Sequence, residues 1–148
     1  MTTRKRAFIF DDDTAIRALL RGILEQHDYE VRGFPRAALC QTCPCPQGHM
    51  CADIIISDIS MPNLSGIQFT QHQRMVGCRI ENILLLSGTW SEEQLTQAKA
   101  LGCSVLHKPF MIEELMTWLE ECEKRRDPTR TLVDSFPGCA HPSIAEDG

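Results

Sequence analysis

No stretch of this chain approaches the roughly 20 consecutive apolar residues needed to span a bilayer, so nothing in it points to a membrane. No secretory leader is expected either. The opening MTTRKRAFIFDDD has basic residues, but its apolar run is four residues long and ends in three acids, too short for an export signal. There is no broad basic face to suggest a nucleic-acid partner. The formal net charge is −5, and Arg4-Lys5-Arg6 and Lys124-Arg125-Arg126 read as solvated element ends. No internal repeat is present. What remains is a 148-residue chain, 43% hydrophobic and 24% charged, with a mean hydropathy of −0.19. That is enough for one domain to bury a core without disulfide staples. The expectation is a soluble, cytosolic (cytoplasmic) protein, and in that compartment thiols stay reduced.

Against this plain background short apolar runs alternate with helical patterns. Ala7–Phe10 ends in acids, as a buried parallel strand does. From Asp13 the stripe changes to Ile16, Leu19, Leu20, Ile23 and Leu24, the spacing of one helical face. Tyr29–Phe34 reads as a second strand. A second helix begins over Arg36–Leu39, and Pro44, Pro46 and Gly48 must stop it early. Ile54–Ser57 is a third strand, followed by a helix around Leu64–Val76. Ile83–Leu86 is the fourth strand, and Ser91–Leu101 a helix whose Ser91 and Gln94 are placed like a capping box. Val105–His107 forms a fifth strand, and Ile112, Leu115, Met116 and Leu119 mark the last helix. Five strands alternating with five helices predict an α/β fold, a doubly wound five-stranded parallel sheet covered on both faces. Residues 1–126 would form the domain. Residues 127–148 are aperiodic, which predicts a flexible tail, too short for an effector domain such as a helix-turn-helix module.

In open parallel sheets the working site lies beyond the carboxyl ends of the strands. Strand one delivers Asp11-Asp12-Asp13 there, strand three Asp58, strand four Ser87-Gly88 and strand five Lys108-Pro109. Carboxylates, a hydroxyl and a lysine on one rim make a magnesium-and-phosphate site by composition. Crowded carboxylates repel and raise one another's pKa, and a hard dication such as Mg2+ relieves this with carboxylate, water and phosphate oxygens. One carboxylate can then act as nucleophile toward a phosphoryl group, while lysine and hydroxyl stabilise its oxygens.

FIFDDD, the D-x-x-M-P-x-x-x-G pattern of IIISDISMPNLSG, then ILLLSG and HKPF occur in this order. Together they make the segment from Lys5 to Glu123 resemble the receiver domain of two-component response regulators. The resemblance implies a flavodoxin-like (βα)5 fold with strand order 2-1-3-4-5 and a phosphoacceptor signalling role rather than an enzyme's. Asp58 would accept the phosphoryl group. Asp12 would bind Mg2+ (or Mn2+) directly and Asp11 nearby, with the Ser60 main-chain carbonyl completing the set beside Asp58. Ser87 and Lys108 would contact the phosphoryl group, Lys108–Pro109 would be cis, and Asp13, where the family varies, would cap the first helix. The implied partners are a sensor histidine kinase or phosphotransfer protein upstream. A protein target would dock downstream on the face of the fourth helix, fifth strand and fifth helix. Val105 stands where the family usually has an aromatic residue, and Trp90 is placed either to substitute for it or to anchor the following helix.

Two other readings use part of the sequence. A haloacid dehalogenase-like phosphatase would take Asp11 as nucleophile and Asp13 as acid/base. Against it, Thr14 comes one residue early, no acidic pair follows the lysine, and Met61-Pro62 would have no role. A metal- or redox-sensing module would be built on CQTCPCPQGHMC, which holds Cys40, Cys43, Cys45, His49 and Cys51 within twelve residues. Thiolate and imidazole suit Zn2+. A metal site, a loop of reduced thiols and a redox-active disulfide are the three states open to it. The strand Asp53–Ser57 separates this Cys-rich insertion (about 40–52) from Asp58 by roughly 15–20 Å, at the opposite end of the sheet.

Overall fold

The structure is a computed structural model and describes residues 5–36, 49–61 and 64–132. Five apolar runs pair as one parallel sheet: β1 (Lys5–Phe10), β2 (Tyr29–Phe34), β4 (Ile54–Asp58), β5 (Asn82–Ser87) and β6 (Ser104–His107), in the order β2-β1-β4-β5-β6. Counting these five alone, the order is 2-1-3-4-5, as expected. The central strand β4 is buried along its whole length, which is why its sequence is a continuous apolar run rather than an alternation.

Successive side chains leave a strand on opposite faces, so each strand feeds two cores. Phe8, Phe10, Ile55, Ile83 and Leu85 pack on one face with Ile67 and Phe69 of α2 (Gly66–Met75) and Ala98 of α3 (Glu92–Ala100). Ala7, Ile9, Ile54, Ile56, Leu84 and Leu86 pack on the other. Their partners there are Leu20, Ile23 and Leu24 of α1 (Thr14–Gln26) and Leu115, Trp118 and Leu119 of α4 (Ile112–Arg125). Four helices are found among the described residues. The expected helix over Arg36–Leu39 lies outside them beyond Arg36.

Local signals set the helix starts. Asp13 caps α1, its carboxylate accepting from the amides of Ala15 and Ile16. Ser91–Gln94 closes the expected capping box on α3, and Ser65–Gln68 closes another on α2. Each such cap satisfies amides that the first helical turn leaves without partners. The apolar stripes are narrower than their sequence suggested. Leu19 and Ile112 are 44% and 46% exposed. Arg17 is buried instead, donating to the Asp11 carbonyl at 2.7 Å.

The chain does not leave the fold at Arg126, where the boundary was expected. Arg130 is buried and ion-paired to Asp53 at 2.6 Å. A short strand β7 (Thr131–Leu132) then pairs in parallel with β3 (His49–Met50). The Asp53 carboxylate also accepts from the Arg6 amide at 2.9 Å, so a buried anion with several donors holds this segment against the sheet. Residues 133–148 lie outside the described residues.

Candidate functional site

Strand polarity brings the predicted rim together. β1 ends at Phe10, so Asp11 and Asp12 stand at its carboxyl end, beside Asp58 of the neighbouring β4. Asp58 is paired in register with Leu86, which places Ser87 one step further on β5. Ser87 in turn is opposite His107, and the Lys108 amide donates to the Ser87 carbonyl at 2.8 Å. Lys108–Pro109 is a cis peptide bond.

The side chains converge as well. Lys108 Nζ lies 2.8 Å from Asp11 Oδ2 and 3.5 Å from Asp58 Oδ2. Carboxylate oxygens of Asp11, Asp12 and Asp58 all lie within 4.8 Å of one another, the one such grouping of His, Cys, Asp or Glu among the described residues. Asp11 and Asp58 are buried and Asp12 is exposed, so the cluster opens to solvent on the Asp12 side. The amide of Ser60 donates to Asp58 Oδ1 at 3.3 Å, which bends the chain over the carboxylate. Ser87 Oγ accepts from the Thr89 amide at 3.0 Å.

Electrostatics follow from this crowding. Burial pushes the Asp58 carboxyl above the ordinary aspartate range; Lys108 and the Ser60 amide pull it down, and Asp11 and Asp12 push it further up. Burial alone would lower Lys108, but its hydrogen bond to Asp11 and the two nearby carboxylates hold it above the usual lysine value. A rim with more carboxylate than ammonium charge, and only oxygen donors, suits a hard divalent cation.

Gly66 is the last residue of the D-x-x-M-P-x-x-x-G pattern, and the structure supplies its reason. A Cβ at this position would stand 2.7 Å from the Asp58 carbonyl oxygen and 3.1 Å from Ile59 Cα. The first turn of α2 therefore packs directly on the backbone that carries Asp58. Arg17, which holds the Asp11 carbonyl, was not marked by the sequence, since it sits on the flank of an apolar stripe. Trp90 donates its indole N–H to the Leu106 carbonyl at 3.0 Å. It ties the segment after Ser87 to β6, next to Val105, and both residues pack on the Phe8–Phe10 core.

Other candidates fall elsewhere. Asp13 is committed to its helix cap. Cys51 is 3% exposed and packs in the apolar core, and its carbonyl accepts from Arg6 Nη1 at 3.0 Å. Cys40, Cys43 and Cys45 lie outside the described residues, and the His49 side chain does as well. Cys51 precedes β4 and Asp58 ends it, so the cysteine segment joins the sheet at the end away from the acidic rim. No helix among the described residues is long and apolar enough to cross a membrane.

Comparison with known proteins identifies the family and the fold. The sequence model of the response regulator receiver domain matches residues 7–120, and the chain belongs to that family. Receiver domains are signalling domains that work between histidine kinases and downstream targets. The transcriptional regulatory protein GlnL of Bacillus subtilis is 30% identical over 125 residues, covering 81% of this chain and 38% of that protein. FixJ of Bradyrhizobium diazoefficiens is 27% identical over 130 residues, covering 86% of this chain and 61% of that protein. The chain thus spans 38% and 61% of the length of these two curated relatives, less than two thirds of either. Among solved structures, chemotaxis protein CheY4 of Vibrio cholerae matches with a TM-score of 0.63 at 26% identity, over 80% of this chain and 98% of that one. Full-length FixJ from B. japonicum matches with a TM-score of 0.66 at 26% identity, over 84% of this chain and 60% of that one.

Proposed function

We propose that Asp58 accepts a phosphoryl group from a phosphohistidine on a sensor histidine kinase or phosphotransfer protein, in a cytoplasmic setting. The observation that carries this is the convergence of Asp58 with Asp11, Asp12 and Lys108 from three strands at one rim. The donor set fits Mg2+ or Mn2+: Asp11, Asp12, Asp58 and the Ser60 carbonyl would hold it. When bound, such a cation supplies positive charge to the carboxylates and to the phosphoryl oxygens.

The chain's own groups do the rest. An Asp58 oxygen attacks phosphorus, forming a P–O bond as the P–N bond of the donor breaks. The electron pair of that bond stays on the imidazole nitrogen, which takes a proton as the donor leaves. Lys108 is shared between Asp11 and Asp58 and can follow charge from the carboxylate to the phosphoryl group. Ser87 Oγ accepts from Thr89 and keeps its proton for a phosphoryl oxygen. The acyl phosphate adds negative charge where Asp58 already tolerates it poorly, a drive for Ser87 and its segment to move inward. Trp90 and Leu106 couple that segment to β6, so the change would reach the α3–β6–α4 face, where a protein target docks. The same rim would let Asp58 take a phosphoryl group from acetyl phosphate and lose it to water without a partner.

Beryllofluoride with Mg2+ tests the reading. NMR shifts centred on Asp58, Ser87 and Lys108 in the wild type, and none in Asp58→Asn, support it. Equal shifts in both proteins would sink it.

A further inference from the structure

Two of the three carboxylates at the rim are held by partners, and the third is not. Asp11 accepts from the Asp13 amide on Oδ1 at 2.9 Å and from Lys108 on Oδ2 at 2.8 Å. Asp58 accepts from the Ser60 amide and faces Lys108. The Asp12 side chain is exposed and, among the described residues, has no hydrogen bond or ion pair of its own. Yet one of its carboxylate oxygens lies within 4.8 Å of those of Asp11 and Asp58. Like charges at that spacing repel, so what keeps Asp12 at the rim is its backbone.

That backbone is braced from α1. Arg17 Nη1 donates to the Asp11 carbonyl at 2.7 Å, and Nη2 donates to the Thr14 hydroxyl at 3.3 Å. Residues 11 and 14 flank Asp12 and Asp13, so one planar guanidinium grips both ends of the acidic turn. The Arg17 amide also donates to the Asp13 carbonyl at 3.0 Å, and the Asp11 amide to the Phe34 carbonyl of β2 at 3.1 Å.

Arginine is an unfavourable choice for this position on packing grounds alone. Arg17 is 7% exposed and shares the buried face of α1 with Leu20, Ile23 and Leu24. A leucine would suit that face, whereas a buried guanidinium loses hydration that only well-placed acceptors offset. The start of the helix does not require it either, because Asp13 already accepts from the Ala15 and Ile16 amides. Its fork is spent on the turn that carries the acids.

We propose that Arg17 is a positioning residue for cation binding at the rim. It holds the Asp11–Asp13 turn so that Asp12 stands beside Asp11 and Asp58 before a cation arrives. The proposal rests on the reading of this rim as a Mg2+ site. The charge of Arg17 acts in the opposite sense, since a fixed cation nearby disfavours a dication. The roles open to Arg17 therefore differ in sign. Loss of a brace weakens cation binding, loss of a repelling charge strengthens it, and loss of a merely stabilising residue leaves the folded protein's affinity unchanged.

Titration of the ¹⁵N-labelled full chain with Mg2+, read by NMR at the Asp12, Asp13 and Ser60 amides, tests this with no phosphoryl donor present. In Arg17→Met the Kd should rise by about 10-fold or more, the usual loss when a group that orients a metal ligand is removed. A folded Arg17→Met that binds Mg2+ as tightly as the wild type, or more tightly, overturns the proposal. Should the methionine variant not fold, Arg17→Lys takes its place. It keeps the charge and loses the fork, so it should bind more weakly, and affinity equal to the wild type overturns the proposal. Asp12→Asn separates this from the reading beneath it. Wild-type binding that weakens in Asp12→Asn but not in the Arg17 variant sinks the proposal alone. Wild-type shifts that are absent, or that Asp12→Asn leaves untouched, sink the Mg2+ reading of the rim and the proposal with it.

Discussion

Lys108 Nζ is hydrogen-bonded to Asp11 Oδ2 at 2.8 Å, although 97 residues separate the two in the chain. The same ammonium stands 3.5 Å from Asp58. One cation therefore ties the ends of β1, β4 and β6 and partly offsets the repulsion between two buried acids. Lys108→Met removes that cation from the path of the incoming phosphoryl group. Phosphorylation of Asp58 by acetyl phosphate should slow on the order of 100-fold, the usual loss for one stabilising donor. Rates of incorporation at matched Mg2+ concentrations measure it.

The raised Asp58 pKa, caused first by burial and then by Asp11 and Asp12 against the pull of Lys108 and Ser60, has a stability consequence. A carboxyl whose folded pKa exceeds its unfolded value is protonated more readily in the native state. Its stabilising contribution is therefore present at acid pH and lost as pH rises through the folded pKa. Asp58→Asn escapes that loss. Without divalent cation at neutral pH, the variant should melt higher than the wild type. The gain should shrink as pH falls toward about 4, the ordinary aspartate range. Melting curves across that window decide, and a variant that melts lower at neutral pH contradicts the account.

Gly66 and Gly22 make a matched pair. A Cβ at Gly66 meets the Asp58 carbonyl at 2.7 Å, whereas one at Gly22 in α1 meets nothing within 4 Å. Gly66→Ala should cost about 1–3 kcal/mol, because backbone rather than a flexible side chain must move. Gly22→Ala should stabilise by about 0.4–1 kcal/mol through helix propensity and a less mobile unfolded chain. Urea denaturation of both variants measures the contrast, and equal effects would refute the packing argument.

The Asp53–Arg130 pair is buried on both sides, at 5% and 4% side-chain exposure. Asp53→Ala leaves a buried guanidinium without its carboxylate and the Arg6 amide without its acceptor. The cost should be about 3–5 kcal/mol. Urea unfolding gives the number. A cost below about 1 kcal/mol, the range of exposed pairs, would show that the segment after α4 is not held as described.

The sheet and the acidic rim were legible because their signals are local or ordered along the chain, and the strand order came with the family resemblance that those motifs carry. β1, β4 and β5 are continuous apolar runs that end in the residues of interest, and the caps at Asp13 and Ser91 use spacings of two or three residues. What stayed hidden depends on distance or on very short elements. β3 and β7 are two residues each and show no periodicity, and Arg130 meets Asp53 across 77 residues. Leu19 and Ile112 fit their stripes by spacing but not by exposure, because helical spacing does not say how wide a face the sheet covers.

The central claim is that Asp58 is the phosphoacceptor. Intact mass and peptide mapping after treatment with acetyl phosphate and Mg2+ test it most directly. The account predicts one base- and hydroxylamine-labile phosphoryl group on the peptide that carries Asp58 in the wild type, and none in Asp58→Asn. A phosphoryl group on any other residue of the wild type, or undiminished labelling of Asp58→Asn, would contradict it.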